Sequence, residues 1–120
     1  MASTFKNAGK VVGVLEDSTA DLYTAGAQET AVIHALYISN NNTVDEAKVN
    51  IKVTIDGGTT FRSIGKSLQV PASNTLTLDK PINLEHYDKL RVFADAYPDA
   101  ASVDVEVVAC LLYTSPSPRD

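Results

Sequence analysis

Apolar and polar side chains alternate most clearly along KVNIKVTI, residues 48–55. Branched apolar residues take every second position there: Val49, Ile51, Val53 and Ile55. A period of two is typical of a β-strand with one buried face. The segment Asp-Gly-Gly follows at 56–58, and such turns favour a hairpin because they need positive φ. The pattern therefore predicts an antiparallel hairpin with strands at 48–55 and 59–64.

The same kind of pattern recurs along the chain at short intervals. Further strands are predicted at 10–15, 20–25, 30–39, 74–79, 89–96 and 102–109. The segment 30–39 (TAVIHALYIS) is apolar at both odd and even positions, which predicts a central strand buried on both faces. Pro81 interrupts the segment that begins at 74, because proline cannot donate a ladder hydrogen bond.

These patterns together predict the fold class. Turn signals separate about eight short strands, and no segment has the period of a helix longer than one turn. A chain of 120 residues corresponds to one domain. The expectation is an all-β protein, with a single antiparallel β-sandwich or jelly-roll-like domain.

Charge and composition narrow the range of partners. The net charge is −5 and the sequence pI about 4.8, with Lys and Arg scattered, which disfavours nucleic acid as a direct partner. No apolar run approaches the roughly 18–20 residues needed to cross a bilayer. The first ten residues lack the apolar core of a secretory signal, so synthesis in the cytoplasm is expected. A single cysteine, Cys110, excludes an internal disulfide and most zinc sites.

The sequence contains no recognisable catalytic or metal-binding motif. The chain has no G-x-S-x-G elbow, phosphate-binding loop or H-E-x-x-H helix, so we predict no enzyme, cofactor, catalytic residue or metal site. His34 lies in the apolar segment 30–39 and is interpreted as a hydrogen-bonded structural histidine, with a pH-sensitive interface residue as the alternative. His86 is interpreted as solvated.

Other polar and aromatic groups have ordinary interpretations as well. Surface charge and turn formation explain the carboxylates of the chain better than a calcium-binding loop does. These carboxylates form three loose groups: Glu16, Asp17 and Asp21; Asp45 and Glu46; and Asp95, Asp99 and Asp104. Gly57 and Gly58 are interpreted as turn residues rather than an anion site. Four tyrosines could contribute to an interface, although partial burial is the commoner role: Tyr23, Tyr37, Tyr87 and Tyr97.

The last eleven residues, CLLYTSPSPRD, differ in composition from all that precedes them. They resemble, without a mismatch, one translation frame of a transposon-based sequencing adapter. The expectation is a β-sandwich domain at 1–109 followed by a non-native, adapter-derived tail at 110–120, in a sequence from environmental DNA. Such a tail would have no evolved packing, so its deletion should leave the melting temperature unchanged or raise it.

Two longer segments resemble small virion structural proteins of tailed bacteriophages. They are DLYTAGAQETAVIHALYISNNN at 21–42 and LQVPASNTLTLDKPINLEHYDKLRVFA at 68–94, and VDVEVVA at 103–109 would be the closing strand. The resemblance covers most of 1–109 and lies in structural motifs rather than binding residues.

This resemblance implies a virion component with no active site. The leading hypothesis is a capsid decoration protein that docks on a repeated lattice site, and a tail or neck component is the alternative within the same class. The implied partners are major capsid or tail proteins and further copies of the chain, with a trimer as one candidate. From a different class, a β-sandwich module for glycans or calcium-dependent adhesion stays open. Candidate docking loops are 39–43, 56–58 and 95–101.

Overall fold

The computed structural model describes residues 2–14, 16, 20–95 and 105–115. These residues form nine β-strands. The strands are β1 (Ala2–Val11), β2 (Asp21–Thr24), β3 (Thr30–Asn40), β4 (Ala47–Thr54), β5 (Phe61–Val70), β6 (Thr75–Leu78), β7 (Ile82–Leu84), β8 (Lys89–Ala94) and β9 (Val105–Ser115).

Two antiparallel sheets contain these strands. The larger has the order β1-β9-β3-β6, with β7 also paired to β3, and the smaller has the order β2-β8-β4-β5. Successive strands mostly cross from one sheet to the other, which is the double Greek-key order of a jelly roll. The predicted all-β sandwich is confirmed. The ninth strand arises because the chain breaks at Asp79–Pro81, so that one edge of the larger sheet consists of β6 followed by β7.

The core lies between the two sheets and follows the predicted alternation. Val49, Ile51 and Val53 of β4 are buried, as are Leu90 and Val92 of β8. Each such side chain contributes roughly 1.5–3 kcal/mol when it leaves water. The larger sheet supplies the facing layer: Ile33, Leu36 and Ile38 of β3, and Val105, Val107, Ala109 and Leu111 of β9.

The predicted hairpin exists, but its turn is longer than expected. The last pair between β4 and β5 is Thr54 with Phe61, so residues 55–60 form the loop, and Ile55 is exposed. Gly57 and Gly58 have φ of 84° and 98°, which confirms them as turn residues with positive φ.

A buried carboxylate, that of Asp88, holds this loop in place. Its Oδ1 accepts hydrogen bonds from the Gly57 N–H at 2.9 Å and the Thr54 hydroxyl at 3.3 Å, and its Oδ2 accepts one from the Glu85 N–H at 2.9 Å. A buried carboxylate is tolerated when its oxygens are hydrogen-bonded in this way. The hairpin loop is therefore tied to the turn that precedes β8, which sequence pattern could not indicate.

The first strand differs from its predicted position. The sequence favoured a strand at 10–15, whereas β1 spans Ala2–Val11, and Val12 enters the core beyond its end. Residues of β1 that pair with inward residues of β9 include Lys6 and Ala8, so the inward side of the strand is poor in apolar residues. The Lys6 ammonium instead lies 5.5 Å from the ring centroid of Tyr23. Pairing with β9, rather than local hydrophobic pattern, sets this strand.

The final strand also differs, since it was predicted to end at Ala109 and continues to Ser115. Residues 110–115 pair with β1, and residues 110–114 pair with β3 on the other side. Leu111 is only 1% exposed and continues the inward row of β9. The expectation that residues 110–115 make no packing contacts is therefore wrong, and deletion should destabilise the domain. The adapter origin of these codons stays a prediction.

Substitution of two adjacent leucines tests whether this end of β9 is packed. Leu111→Ala should lower the free energy of unfolding by about 2–4 kcal/mol, because it opens a cavity in the core. Leu112→Ala, on the half-buried outer side of the same strand, should cost less than about 1 kcal/mol. Urea unfolding of both variants measures the difference. Two equally small effects would mean that the segment does not pack as β9 shows.

The two loop glycines give a second matched pair. Each has a positive φ, so alanine strains the backbone at either site, at a cost of about 1 kcal/mol. At Gly58 a Cβ would also lie 2.8 Å from the Tyr87 carbonyl oxygen, whereas at Gly57 it would meet nothing within 4 Å. Gly58→Ala should therefore lower the melting temperature more than Gly57→Ala. Equal losses in a thermal melt would contradict the close approach of the two loops.

Candidate docking surface

The outer side of the larger sheet carries exposed apolar side chains, and no other strand of the described residues packs over it. Successive residues along a strand point to opposite faces, so the residues between inward Val107, Ala109 and Leu111 point outward. Residues directly opposite them on β1 and β3 share that outer face. We call the resulting surface the open face. It is formed by Phe5 and Val11 of β1, Val108 and Leu112 of β9, and Val32 and Tyr37 of β3.

The exposure of the open face is unusual for side chains of this kind. Phe5 is 78% exposed, Val11 67%, Val108 43% and Tyr37 42%. Scattered apolar residues are normal on a protein surface, but a contiguous apolar patch marks a contact site. In the register of the sheet, Val108 is directly opposite Tyr37, and Phe5 is opposite Leu112. The pair of Asn7 and Cys110 lies between these two apolar pairs, and Val11 is opposite Glu106.

The outer side of the smaller sheet is closed by the protein's own side chains. Arg91 of β8 donates to Asp21 at 2.7 Å, and its guanidinium carbon lies 3.8 Å from the ring centroid of Phe61. Both members of the ion pair are largely buried, so solvent screens it less than an ordinary surface pair. The Arg91 guanidinium therefore covers one face of the Phe61 ring.

A second cation and a polar network extend the cover of the smaller sheet. Lys52 pairs with Glu16 at 2.6 Å and lies 5.7 Å from the ring centroid of Phe93. Asp95 accepts hydrogen bonds from the Asn50 amide at 2.8 Å and the Ser67 hydroxyl at 2.9 Å. The two sheets thus differ in their outer faces, and the open face is the better candidate for contact with another molecule.

The candidate carboxylates do not converge. Glu16 and Asp21 each pair with a different cation, and Asp95 serves the network with Asn50. Asp17, Asp99 and Asp104 lie outside the described residues. Within the part of the chain that the structure describes, no group of three or more His, Cys, Asp or Glu side chains could hold a metal ion. No helix in that part is long and apolar enough to cross a membrane.

The two histidines lie on the surface. His34 is exposed where the register of β3 shifts between Ile33 and Ala35, with its ring centroid 6.3 Å from that of Phe5. The prediction that the segment 30–39 is buried on both faces is therefore wrong, because His34 and Tyr37 are exposed on the outer side of β3. His86 is exposed, as predicted, with its ring centroid 5.8 Å from that of Tyr87.

The tyrosines are not brought together. Tyr37 lies on the open face, Tyr87 is exposed in the turn before β8, and Tyr97 lies outside the described residues. Tyr23 is buried and donates its hydroxyl hydrogen bond to Glu29. Burial, and then this hydrogen bond, raises the pKa of Tyr23, so the phenol stays neutral and anchors the end of β2. Of the three described tyrosines in this set, Tyr37 is the one that lies on the open face.

The candidate docking loops have structural roles of their own. The Asn40 amide is buried and donates to the carbonyls of Asp45 and Val70, at 2.9 and 3.0 Å, which closes the loop 41–46. In the hairpin loop, the Thr60 N–H donates to Asp56, and this bond lowers the pKa of that carboxyl. Most of the third loop, 96–101, lies outside the described residues.

Two surface grooves accompany these loops without a binding constellation. An apolar groove of about 410 Å³ lies beside Ile64, Pro81 and Ile82, at the break between β6 and β7. A polar groove of about 300 Å³ is lined by the end of β3 and the start of β6 with the residues next to them, 39–41 and 73–75. The hydroxyls of Ser39 and Thr75 hydrogen-bond there at 3.0 Å. Neither groove combines an apolar wall with converging charged groups, which is the usual arrangement for a small ligand.

Sequence reasoning missed the open face, although the signal was present. The segment 30–39 is apolar at every second position on both sides, and VVACLL at 107–112 is an uninterrupted apolar run. The segment 30–39 was attributed to burial on both faces of a central strand, and residues 110–112 were attributed to the adapter-derived tail. Both strands are central, but no layer covers their outer side in the described residues.

Comparison with known proteins adds structural neighbours and no sequence relatives. No family model and no curated protein matches the chain. A chain in the acidic stable capsid structure of Helicobacter pylori bacteriophage KHP30 is similar in fold, with a TM-score of 0.52 and 14% identity, over 98% of this chain and 90% of that one.

A chain of the T13 IBDV viral particle is also similar, with a TM-score of 0.54 and 10% identity, over 94% of this chain and 31% of that one. The present chain thus spans about a third of the length of the IBDV chain. At such low identity the likeness concerns the fold alone. The chain shares its fold with chains of two viral particles.

Proposed function

We propose that this chain is a non-enzymatic structural protein of a bacteriophage virion, a capsid decoration protein that docks on a repeated site of the shell. The observation that carries the proposal is the likeness to the KHP30 capsid chain, which extends over 98% of this chain and 90% of that one. A single jelly roll of this size therefore accounts for nearly the whole of a chain in a phage capsid.

The open face supplies a surface suited to such docking. Its apolar side chains stand on the strands of a sheet rather than on loops, so they are held in fixed positions. A shell repeats the same site many times, and a modest contact per copy then suffices to coat the particle. Apolar contact with a major capsid protein is the interaction that this surface favours.

The charge of the chain supports a position on the outside of the shell. The net charge of −5 disfavours contact with packaged nucleic acid, which attracts basic surfaces. Two cations of the smaller sheet, Arg91 and Lys52, are engaged with Asp21 and Glu16. The proposed location is thus the virion, with the major capsid protein as partner.

Binding to shells tests the proposal directly. Purified chain mixed with capsids of the phage that carries the gene should co-sediment to saturation, at a fixed ratio to the major capsid subunit. Val108→Lys should weaken this binding about ten-fold or more, because it places a charge in an apolar contact. Val44→Lys is the matched control, since Val44 is 81% exposed but lies in the loop 41–46, away from the open face.

The other outcomes identify the alternatives. Binding to isolated tails or necks, but not to shells, would indicate that the protein is a tail or neck component instead. A melting shift that depends on calcium or a glycan, without any particle binding, would favour a ligand-binding module instead. If both lysine variants lost binding to shells equally, the capsid would still be the partner, but the open face would not be the docking surface.

We propose separately that the codons for residues 110–120 derive from a sequencing adapter. The support is the residue-for-residue match of this segment to one adapter frame. Native residues at 110–115 would then have to complete β9 in the same way, because both β1 and β3 need a strand partner there. The nucleotide sequence that encodes residues 110–120 tests this proposal, because an adapter origin requires the adapter codons themselves. Separately, neighbouring genes for capsid, portal or terminase proteins would support the virion role.

A further inference from the structure

The two open sheets have four edges, and three of them carry interruptions. The strand β2 has four residues and a register shift between Asp21 and Tyr23. The pairing of β5 shifts on both sides of Ile51, and Ser67 has a φ of 49°. The β6 and β7 edge is broken at Asp79–Pro81. Short strands, bulges and proline are the devices that keep sheet edges from pairing with other chains.

The fourth edge, β1, has no bulge, proline or short strand, and its protection consists of two lysines, Lys6 and Lys10. It spans ten residues without proline, and its register with β9 is unbroken from Ala2 with Ser115 to Val11 with Glu106. Its other side has no strand neighbour among the described residues. A long and regular edge of this kind is a template for a further strand.

We propose that two copies of the chain pair through β1, antiparallel about a two-fold axis at Asn7, so that their larger sheets become one continuous sheet. This inference concerns the chain alone and stands apart from the proposed capsid role. The occupant of the edge is a second copy, because β1 is complementary to itself in one register.

Charge selects that register. In an antiparallel pair of identical strands, opposed residues must have the same parity, so that both point their backbone groups at the partner. Centring the pair on Lys6 would oppose two lysines, and centring it on Ala8 would oppose Lys6 to Lys10. Like charges directly opposite each other are destabilising. Centring it on Phe5 or Gly9 also avoids like charges, but pairs only residues 2–8 or 7–11. Centring it on Asn7 opposes Lys6 to Ala8 and pairs residues 3–11, the longest register without opposed lysines.

Shape supports the same register. Asn7 then faces Asn7 of the second copy, and two amides can hydrogen-bond to each other. Phe5 faces Gly9, which has no side chain, on the outer side of the joined sheet. An aromatic ring that covers a cross-strand glycine is a known stabilising pair at sheet edges. Phe5 is 78% exposed in the single chain, and this contact would remove much of that apolar surface from water.

Sedimentation of the full chain across a wide range of concentration tests the proposal. The expected result is a reversible monomer–dimer equilibrium. Asn7→Lys should weaken the dimer about ten-fold, because it places two lysines face to face at the axis. Thr77→Lys is the matched control, since Thr77 is also exposed on the outer side of the larger sheet but lies on β6, at the opposite edge. It should leave the equilibrium unchanged.

Cysteine crosslinking tests the register itself. Asn7 and Cys110 are directly paired across β1 and β9, so the native thiol has to be removed first by Cys110→Ser. In that background, Asn7→Cys should form a disulfide-linked dimer with oxidised glutathione, because the two sulfurs meet at the axis. Asn83→Cys, at the opposite edge, should stay monomeric under the same conditions.

Three results would overturn the proposal. The first is a chain that stays monomeric at every concentration. The second is a dimer that resists Asn7→Lys and whose Asn7→Cys variant does not crosslink. The third is a dimer that Thr77→Lys dissociates as strongly as Asn7→Lys, since the contact would then involve the outer face of the sheet rather than the edge. None of these results depends on whether the chain binds capsids.

Discussion

The larger sheet depends on β9. This strand lies between β1 and β3, pairs with β1 over the full length of β1, and sends Val105, Val107 and Leu111 into the core. Without it, β1 would have no partner and β3 would keep only the short strands β6 and β7. The pairing joins the two ends of the described chain, so its formation closes a long loop and costs conformational entropy.

The position of β9 also explains why the two sheets have different outer surfaces. A central strand with apolar residues on both sides stabilises the core from within and leaves Val108 and Leu112 outside. The smaller sheet covers its outer aromatic residues with Arg91 and Lys52. Among the described residues the larger sheet has no such cover, and its exposed apolar side chains are unfavourable in water unless they are buried.

Much of the fold follows from local sequence pattern. Alternation predicted the buried sides of β4 and β8, and Pro81 predicted the break between β6 and β7. Prediction of the strand bounds failed where pairing with another strand, rather than local pattern, determines them. The strand β1 has few apolar residues and forms because β9 pairs with it, and the end of β9 was assigned by composition rather than by its continuing alternation.

The candidate surface could be predicted only in part. The absence of catalytic motifs directed attention to structural roles, but the loops proposed for docking are organised by their own hydrogen bonds, as at Asn40. The apolar character of 30–39 was visible, whereas its exposure was not. A single sequence does not distinguish a strand covered on both sides from one with an uncovered side, because the two have the same hydrophobic pattern.

The most direct measurement is a quantitative mass-spectrometric inventory of purified phage particles from a lysate of infected cells. The proposed role predicts peptides of this chain in intact particles, at a constant ratio to the major capsid protein across a density gradient. Their recovery only from the soluble fraction of the lysate, with none in the particles, would contradict a role in the virion.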